Sequence, residues 1–202
     1  MSLNRTLTVT LAASALILAA CGSSGEGGTD AGDGQTAAGD SAYGLAKDGV
    51  LVVGTEGTYR PFSYHEGGSG ELVGYDIEVV EAVAEKLDLD IEYQETQWDA
   101  IFAGLEAGRF DVIANQVSIN PEREEQYLFS EPYTVSPGVI VVANDTTDIT
   151  GLADLEGKTT AQSLTSNWGT IATGAGANVE AVEGWAQSVA LLEQGRVDAT
   201  VN

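Results

Sequence analysis

Cysteine and histidine are nearly absent from the 202 residues, and each occurs once, as Cys21 and His65. A single cysteine cannot form a disulfide within the chain or supply a cysteine-rich metal centre. A single histidine beside the glycine-rich turn 67–70 is more typical of a surface residue than of a ligand or a general base. Because no nucleophile–base pair stands out, we expect no catalytic residues, no metal and no cofactor, and we predict that the protein is not an enzyme.

Basic residues are also scarce. Lys and Arg total 8 against 31 Asp and Glu, which gives a formal net charge of -23. A surface with so little positive charge is unsuited to phosphate backbones and to anionic lipids. The composition therefore argues against nucleic acid as a partner, whereas the 43% hydrophobic content is ordinary for a globular protein.

The N-terminal residues predict export and a lipid anchor. Residues 1–20 contain one early cation and then an apolar run that is short for a membrane-spanning helix and typical of a signal peptide. The run ends in LAAC (18–21), which resembles the lipobox of bacterial lipoproteins, where cleavage leaves a lipid-modified cysteine. The alternative is a chance cysteine near an ordinary signal-peptidase site. We expect lipidation of Cys21 and a flexible tether over 21–47, which is rich in Gly, Ser and Asp.

Strands and helices are predicted to alternate beyond the tether. An apolar run at 50–54 predicts a buried strand, and apolar residues at helical spacing predict a helix over 75–87. A strand at 91–93 and a helix over 98–105 follow. This alternation is typical of a parallel sheet, whose ligands lie in loops at the carboxyl ends of strands. Tyr59, in the loop after the first strand, is therefore either a pocket wall or a packing aromatic.

Arg123 occupies an unusual place at the start of a helix. Asn120 can cap this helix and Pro121 suits its first turn, so Arg123 falls near the third helical position, where the helix dipole disfavours a cation. Backbone N–H groups, the Ser118 hydroxyl and the guanidinium together favour an anion site that grips a carboxylate. The alternative is a surface arginine paired with its neighbouring glutamates.

One segment in the middle of the chain has a counterpart near its end. LEAGRFDVIAN (105–115) matches LEQGRVDATVN (192–202), and each copy predicts a helix end, a glycine stop, a short strand and an Asn. Two lobes of similar α/β construction explain the match, and coincidence in a common helix-to-strand turn is the alternative. We expect the first lobe at 48–134 and a partial second lobe at 135–202.

A second helix start rich in hydroxyl groups lies at 163–167, after a strand predicted at 158–162. Such a start can hold a carboxylate oxygen. The alternative is that Thr165 or Ser166 only caps the helix.

Five segments together resemble the family 3 extracellular solute-binding proteins of bacterial amino-acid ABC transporters. They are GTEGTYRPF (54–62), LVGYDIEVVEAVAEKL (72–87), QWDAIFAGLEAGRFDVIANQVSINPERE (97–124), FSEPY (129–133) and GLADLEGKTTAQSLTSN (151–167). Two segments look most like the cystine-binding branch: AQSLTSNW (161–168) and EGWAQSVALLEQGRVDATVN (183–202). The resemblance implies a type II periplasmic-binding-protein fold, in which two α/β lobes close on a ligand cleft about a hinge.

The resemblance also implies six substrate-binding residues, which are Tyr59, Trp98, Gln116, Ser118, Arg123 and Thr165. By this likeness the guanidinium at 123 binds the α-carboxylate of an amino acid, with help from the hydroxyls at 118 and 165. The backbone around 116 accepts a hydrogen bond from the α-ammonium, and the two aromatic rings line the side-chain pocket. The acid that the family uses for the α-ammonium is expected directly after Asn202, so we expect the chain to be a C-terminally truncated fragment.

The function expected from this likeness is capture of a polar amino acid, such as cystine, outside the membrane and delivery to an ABC permease. The expected partners are the amino acid, the permease subunits and the membrane through the lipid anchor, and the protein is expected to be a monomer. An enzyme on the same fold, such as a dehydratase or a module of a lytic transglycosylase, is the alternative, as is a sensory input module.

Overall fold

The structure is a computed structural model, and it describes residues 43–202. The predicted signal peptide, Cys21 and the tether up to residue 42 lie outside the described residues. The described part contains five α-helices: α1 (Tyr75–Leu87), α2 (Trp98–Glu106), α3 (Pro121–Glu124), α4 (Asn167–Gly174) and α5 (Trp185–Glu193). Short 3-10 helices occupy Glu66–Gly68 and Leu152–Leu155. The strands are β1 (Val50–Thr55), β2 (Thr58–Tyr59), β3 (Ser63–His65), β4 (Leu72–Val73), β5 (Asp90–Glu95), β6 (Val112–Ile113), β7 (Ile140–Val142), β8 (Thr159–Gln162), β9 (Asn178–Ala181) and β10 (Ala199–Val201).

The first lobe is the part built on a parallel sheet of order β5-β1-β6. Strand β1 is buried on both faces because its side chains alternate between two helices. Leu51 and Val53 pack with α1, whereas Val52 packs with Trp98 and Ile101 of α2. The sequence prediction of a parallel α/β arrangement is confirmed, and α1 has the predicted bounds.

A small antiparallel sheet of order β2-β3-β4 stands on the loop after β1. It returns the chain from the carboxyl end of β1 to the start of α1. Tyr59 lies in this sheet, and its ring contacts Phe62 edge to face at 5.2 Å. Residues 45–47, at the end of the predicted tether, also contact this lobe, because Ala46 N donates to Asp111 Oδ1 over 2.7 Å.

The second lobe is the part built on a mixed sheet of order β7-β10-β8-β9, in which β7 alone is antiparallel to its neighbour. Helix α4 packs on one face through Ala172, and α5 packs on the other through Leu192. Strand β9 was not predicted from the sequence, since its residues Asn178–Ala181 carry one large apolar side chain among four.

The two copies of the sequence repeat have matching structures. Asp111 N donates to Val52 O, and Asp198 N donates to Thr159 O, both over 2.8 Å. Each aspartate then accepts a bond in return, from Val52 N over 2.8 Å and from Thr159 N over 2.7 Å. Helices α2 and α5 are each followed by a glycine at positive φ, 66° and 65°. The two copies of the repeat therefore form the same helix-to-strand turn, one in each lobe.

The segment 125–139 passes from the first lobe to the second without forming a helix or a strand. It contains Pro132 and Pro137, as expected for a connection that interrupts regular structure. Within residues 43–202, no helix combines the length and the apolar character that crossing a bilayer requires.

Candidate functional site

A polar cavity of about 60 Å³ lies between the two lobes, at the carboxyl ends of β1, β8 and β10. The first lobe contributes Glu56, Tyr59, Trp98, Asn115, Gln116 and Ser118, and the second contributes Gln162, Ser163, Ser166, Asn167, Trp168, Gly184, Trp185, Ser188, Thr200, Val201 and Asn202. One water molecule needs about 10–15 Å³ of cavity volume, so the cavity has room for only a few water molecules. Entry of a larger solute therefore requires the lobes to separate.

Three buried polar atoms of the cavity residues have no hydrogen-bond partner among residues 43–202. They are the acceptor Glu56 Oε1 and the donors Trp98 Nε1 and Gln162 Nε2. Leaving a buried polar atom unpaired costs about 1–3 kcal/mol, so folded proteins rarely do so without reason. An anionic acceptor and two N–H donors around one cavity match a solute that carries both a cationic and an anionic group.

The Glu56 carboxylate is held in place by Asn115. Asn115 Nδ2 donates to Glu56 Oε2 over 2.7 Å, and Asn115 Oδ1 accepts from Glu56 N over 2.9 Å. The same amide oxygen also accepts from the hydroxyls of Thr55 and Ser63, both over 3.2 Å. Burial raises the pKa of Glu56, although the bond from Asn115 opposes this effect. Glu56 is 7% exposed, and its carboxyl group is thus buried and fixed in orientation.

Arg123 is anchored by the predicted cap and is buried. Asn120 Oδ1 accepts from Arg123 N over 2.9 Å. Arg123 Nη1 donates to Ser118 O over 2.9 Å and to Asn167 Oδ1 over 3.4 Å. The guanidinium carbon lies 5.3 Å from the centre of the Trp98 ring, and burial lowers the pKa of the group.

The alternative of a surface arginine paired with its glutamates is wrong. The residue is 8% exposed, and the ion pairs among residues 43–202 do not include it.

Among the described residues, three pairs of side chains form hydrogen bonds between the lobes: Tyr59 with Asn202, Thr165 with Asp99, and Arg123 with Asn167. Tyr59 OH donates to Asn202 Oδ1 over 2.8 Å. At the rim, Thr165 Oγ1 donates to Asp99 Oδ1 over 2.6 Å. The Tyr59 ring also lies 6.2 Å from the ring of Trp185. The lobes therefore contact each other through side chains as well as through the connecting segment.

The structure brings together four of the six predicted site residues on the cavity wall: Tyr59, Trp98, Gln116 and Ser118. Arg123 lies directly behind this wall, bonded to the carbonyl of Ser118. Thr165 lies at the rim, bonded to Asp99. Ser166 is the residue that caps α4, since its Oγ accepts from Gly169 N over 2.9 Å.

Sequence reasoning missed the contribution of the second lobe. The cavity wall includes Gln162, Trp168, Trp185 and Ser188. The sequence predicts only the turn at 163–167 as a contribution of the second lobe to the site. Trp185 follows β9, and because the sequence carries little strand signal at Asn178–Ala181, no predicted strand end points to it. All three tryptophans of the chain lie on the cavity wall.

Two α/β lobes that meet at a polar cleft define a type II periplasmic binding protein. Residues 51–168 match the family of bacterial extracellular solute-binding proteins, family 3, and the chain belongs to this family.

Individual relatives agree with this assignment. The chain is 49% identical over 196 residues to the L-cystine-binding protein TcyA of Bacillus subtilis. The aligned region covers 97% of this chain and 72% of the relative. It is 53% identical over 165 residues to a probable amino-acid ABC transporter-binding protein of Haemophilus influenzae, which covers 82% of this chain and 64% of the relative. An ancestral arginine-binding protein bound to arginine superposes with a TM-score of 0.70 at 36% identity, over 76% of this chain and 70% of that one. All three are named as binding proteins.

Proposed function

We propose that the protein is an amino-acid receptor that captures L-cystine, or a similar polar amino acid, in the cleft between its lobes. The observation that carries the proposal is the combination of an unpaired acceptor, Glu56 Oε1, with two unpaired donors, Trp98 Nε1 and Gln162 Nε2, on three residues that line one cavity. A zwitterion supplies the complementary groups. The cystine-binding name of a relative with 49% identity supports the choice of amino acid.

In this proposal Glu56 faces a cationic group of the ligand. Its carboxylate is held by Asn115 and is otherwise unpaired at Oε1, so an ammonium group replaces the water that burial removes. The backbone around Gln116 accepts from an ammonium as well. Tyr59 and Trp98 cover the ligand side chain, and they lie on the cavity wall on the same side as Glu56.

The ligand carboxylate is assigned to Arg123, with Ser118 and Thr165 as additional donors. A guanidinium has five N–H donors in a planar fork, and Nη1 alone makes the bonds to Ser118 O and Asn167 Oδ1. A carboxylate can therefore take the remaining donors once the lobes open. Thr165 exchanges its bond to Asp99 for the ligand in the same step.

Delivery of the amino acid to an ABC permease and attachment through a lipid at Cys21 belong to the same proposal. They are supported by the lipobox-like sequence at 18–21 and by a relative named as an ABC transporter-binding protein. The family name places such proteins outside the cytoplasm. We propose that the protein acts there as a monomer.

Calorimetric titration of the protein with L-cystine, L-arginine and L-glutamine tests the proposal. Micromolar affinity corresponds to about 8 kcal/mol. We expect Arg123→Ala to weaken binding by about tenfold or more, because an unpaired carboxylate would then be buried. Arg109→Ala is the matched control, since Arg109 is exposed and absent from the cavity wall. Full affinity in Arg123→Ala would overturn the assignment of the carboxylate, and binding of none of these amino acids would overturn the function.

A further inference from the structure

Asp76 is a buried carboxylate close to the cavity but not on its wall. It is the second residue of α1 and is 1% exposed. Its Oδ1 accepts from Gln116 Nε2 over 2.5 Å and from Tyr133 OH over 3.1 Å. Its Oδ2 has no hydrogen-bond partner within the described part of the chain. A capping role for α1 does not account for it, because no side chain caps that helix.

Gln116, the residue that Asp76 holds, is strained and lies on the cavity wall. Its φ is 50°, in the left-handed region that costs a non-glycine residue about 1–2 kcal/mol. Its side-chain amide is bound at both ends, since Oε1 accepts from Thr134 Oγ1 over 2.8 Å. The surroundings therefore impose this conformation on the cavity loop.

Two further donors of this network, Tyr133 and Thr134, belong to the segment 125–139 that joins the lobes. Tyr133 reaches Asp76 through its hydroxyl, and its carbonyl accepts from Tyr75 OH over 3.2 Å. Thr134 reaches Gln116. One hydrogen-bonded network thus connects α1, the cavity loop and the connection that must bend when the lobes move.

Burying a carboxylate at this junction costs free energy of desolvation. Desolvation raises the pKa of Asp76, against the bonds from Gln116 and Tyr133. In exchange, bonds to an ionised acceptor are roughly twice as strong as neutral ones. The side chain thus holds two donors firmly at the junction of three elements.

We propose that Asp76 is a positioning residue for the cavity, which holds Gln116 in its strained conformation and couples it to the lobe connection through Tyr133 and Thr134. The expected effect of Asp76 on ligand affinity rests on the proposed function. Its effect on the cavity loop does not depend on any ligand.

Hydrogen exchange of the backbone amides at 115–118, measured without ligand, is the first test. We expect Asp76→Ala to accelerate exchange there about tenfold or more, and Asp76→Asn to accelerate it less, because an amide oxygen can still accept both donors. Asp154→Ala is the control, since Asp154 accepts three bonds around Thr150 in the second lobe, far along the chain. Unchanged exchange at 115–118 in a folded Asp76→Ala protein would overturn the proposal.

Ligand affinity in a double-mutant cycle is the second test, with L-cystine as the probe. We expect Asp76→Ala to weaken binding about tenfold and Thr134→Val about threefold, and the double variant to lose clearly less than the product, because both act through Gln116. A purely structural role would lower the melting temperature and leave affinity unchanged, as we expect for Asp154→Ala. If Asp76→Ala does not fold, the cycle between Tyr133→Phe and Thr134→Val serves instead, and additive effects in either cycle would contradict the coupling.

The two proposals can fail separately. Altered exchange at 115–118 in Asp76→Ala, with no amino acid bound by the unsubstituted protein, would overturn the proposed function and leave the positioning role. If the unsubstituted protein and Asp76→Ala both bind L-cystine normally and exchange at 115–118 is unchanged, the proposed function stands and the positioning role is overturned.

Discussion

Glu56 is a residue whose proposed role in binding lowers the stability of the folded protein. The residue is 7% exposed, and one of its carboxylate oxygens has no partner within residues 43–202. Gly184 lies so close that an added Cβ would collide with Glu56 Oε1. The second lobe therefore covers the carboxylate and removes it from water, which costs stability and strengthens its attraction for a cation.

Replacing Glu56 with Gln should separate these two effects. We expect Glu56→Gln to weaken amino-acid binding about tenfold or more and to raise the free energy of unfolding, because a neutral amide is cheaper to bury. Calorimetry and urea denaturation measure the two quantities. Glu122→Gln is the control, since Glu122 is exposed on α3. Weaker binding together with lower stability would point to a structural role for the carboxylate.

The same variant isolates the pH dependence of the site. Burial raises the folded-state pKa of Glu56 above 4.5, and the groups around it are Asn115, Asp99 and the Trp98 backbone. A raised folded-state pKa means that the folded protein takes up the proton first, so acidification favours folding through this group. We expect the stability advantage of Glu56→Gln to be largest at neutral pH and to disappear as pH falls to about 4.5. A difference that grows on acidification would contradict this assignment.

At the level of elements, the repeat shows how one sequence pattern builds both lobes. After each helix a glycine ends the turn, and an aspartate then bonds to the backbone of the neighbouring strand, Asp111 to Val52 and Asp198 to Thr159. These bonds set the register between the new strand and the sheet. Asp111 additionally binds Ala46 N at the start of the first lobe.

We predict that Asp111→Ala destabilises the protein more than Asp198→Ala. Each loses a charge-assisted bond worth about 1.5–3 kcal/mol, and Asp111 loses a second one to Ala46. Urea denaturation of the two variants measures the difference. Asp111→Asn and Asp198→Asn should recover part of the loss, because the amide oxygen still accepts a bond. Equal destabilisation by the two alanine variants would show that the Ala46 bond contributes nothing.

At the level of the whole molecule, direct bonds between the lobes bias the angle of the cleft. Separation of the lobes must break the bond from Thr165 to Asp99 at the rim and the bonds from Tyr59 to Asn202 and from Arg123 to Asn167. The Tyr59–Asn202 bond joins two neutral groups and contributes about 1 kcal/mol, so losing it changes the ratio of closed to open molecules about fivefold. The Thr165 bond ends on a carboxylate at an exposed site. A site that must admit its solute needs contacts of this modest strength.

We therefore expect Thr165→Val to shift the protein toward open conformations. The substitution keeps the shape of the side chain and removes the hydroxyl that donates to Asp99. Small-angle scattering in the absence of added amino acid should show a larger radius of gyration. Thr170→Val is the matched control, because the Thr170 hydroxyl donates to Ser166 O at the N-cap of its own helix, over 3.4 Å. An identical radius in both variants would mean that the rim bond does not hold the cleft.

Local patterns in the sequence sufficed for much of the fold. Helical spacing located α1 from Tyr75 to Leu87, Asn120 and Pro121 located the start of α3, and the repeat located the ends of α2 and α5. These features depend on neighbours within a few residues, so sequence order is enough to predict them. On the first-lobe side of the cavity, local patterns point to Tyr59 and Ser118, whereas Trp98 and Gln116 are predicted only through the family resemblance.

The tertiary structure alone decided how the site is assembled. Tyr59 meets Asn202, Thr165 meets Asp99, and Asp76 holds Gln116, across separations of 143, 66 and 40 residues. Such pairings depend on the angle between two separately folded lobes and on the path of the connection between them, which no periodicity records. The sequence by itself therefore determined the alternation of strands and helices and the helix start that carries Arg123. The orientation of one lobe on the other determined which buried polar atoms are left for a solute.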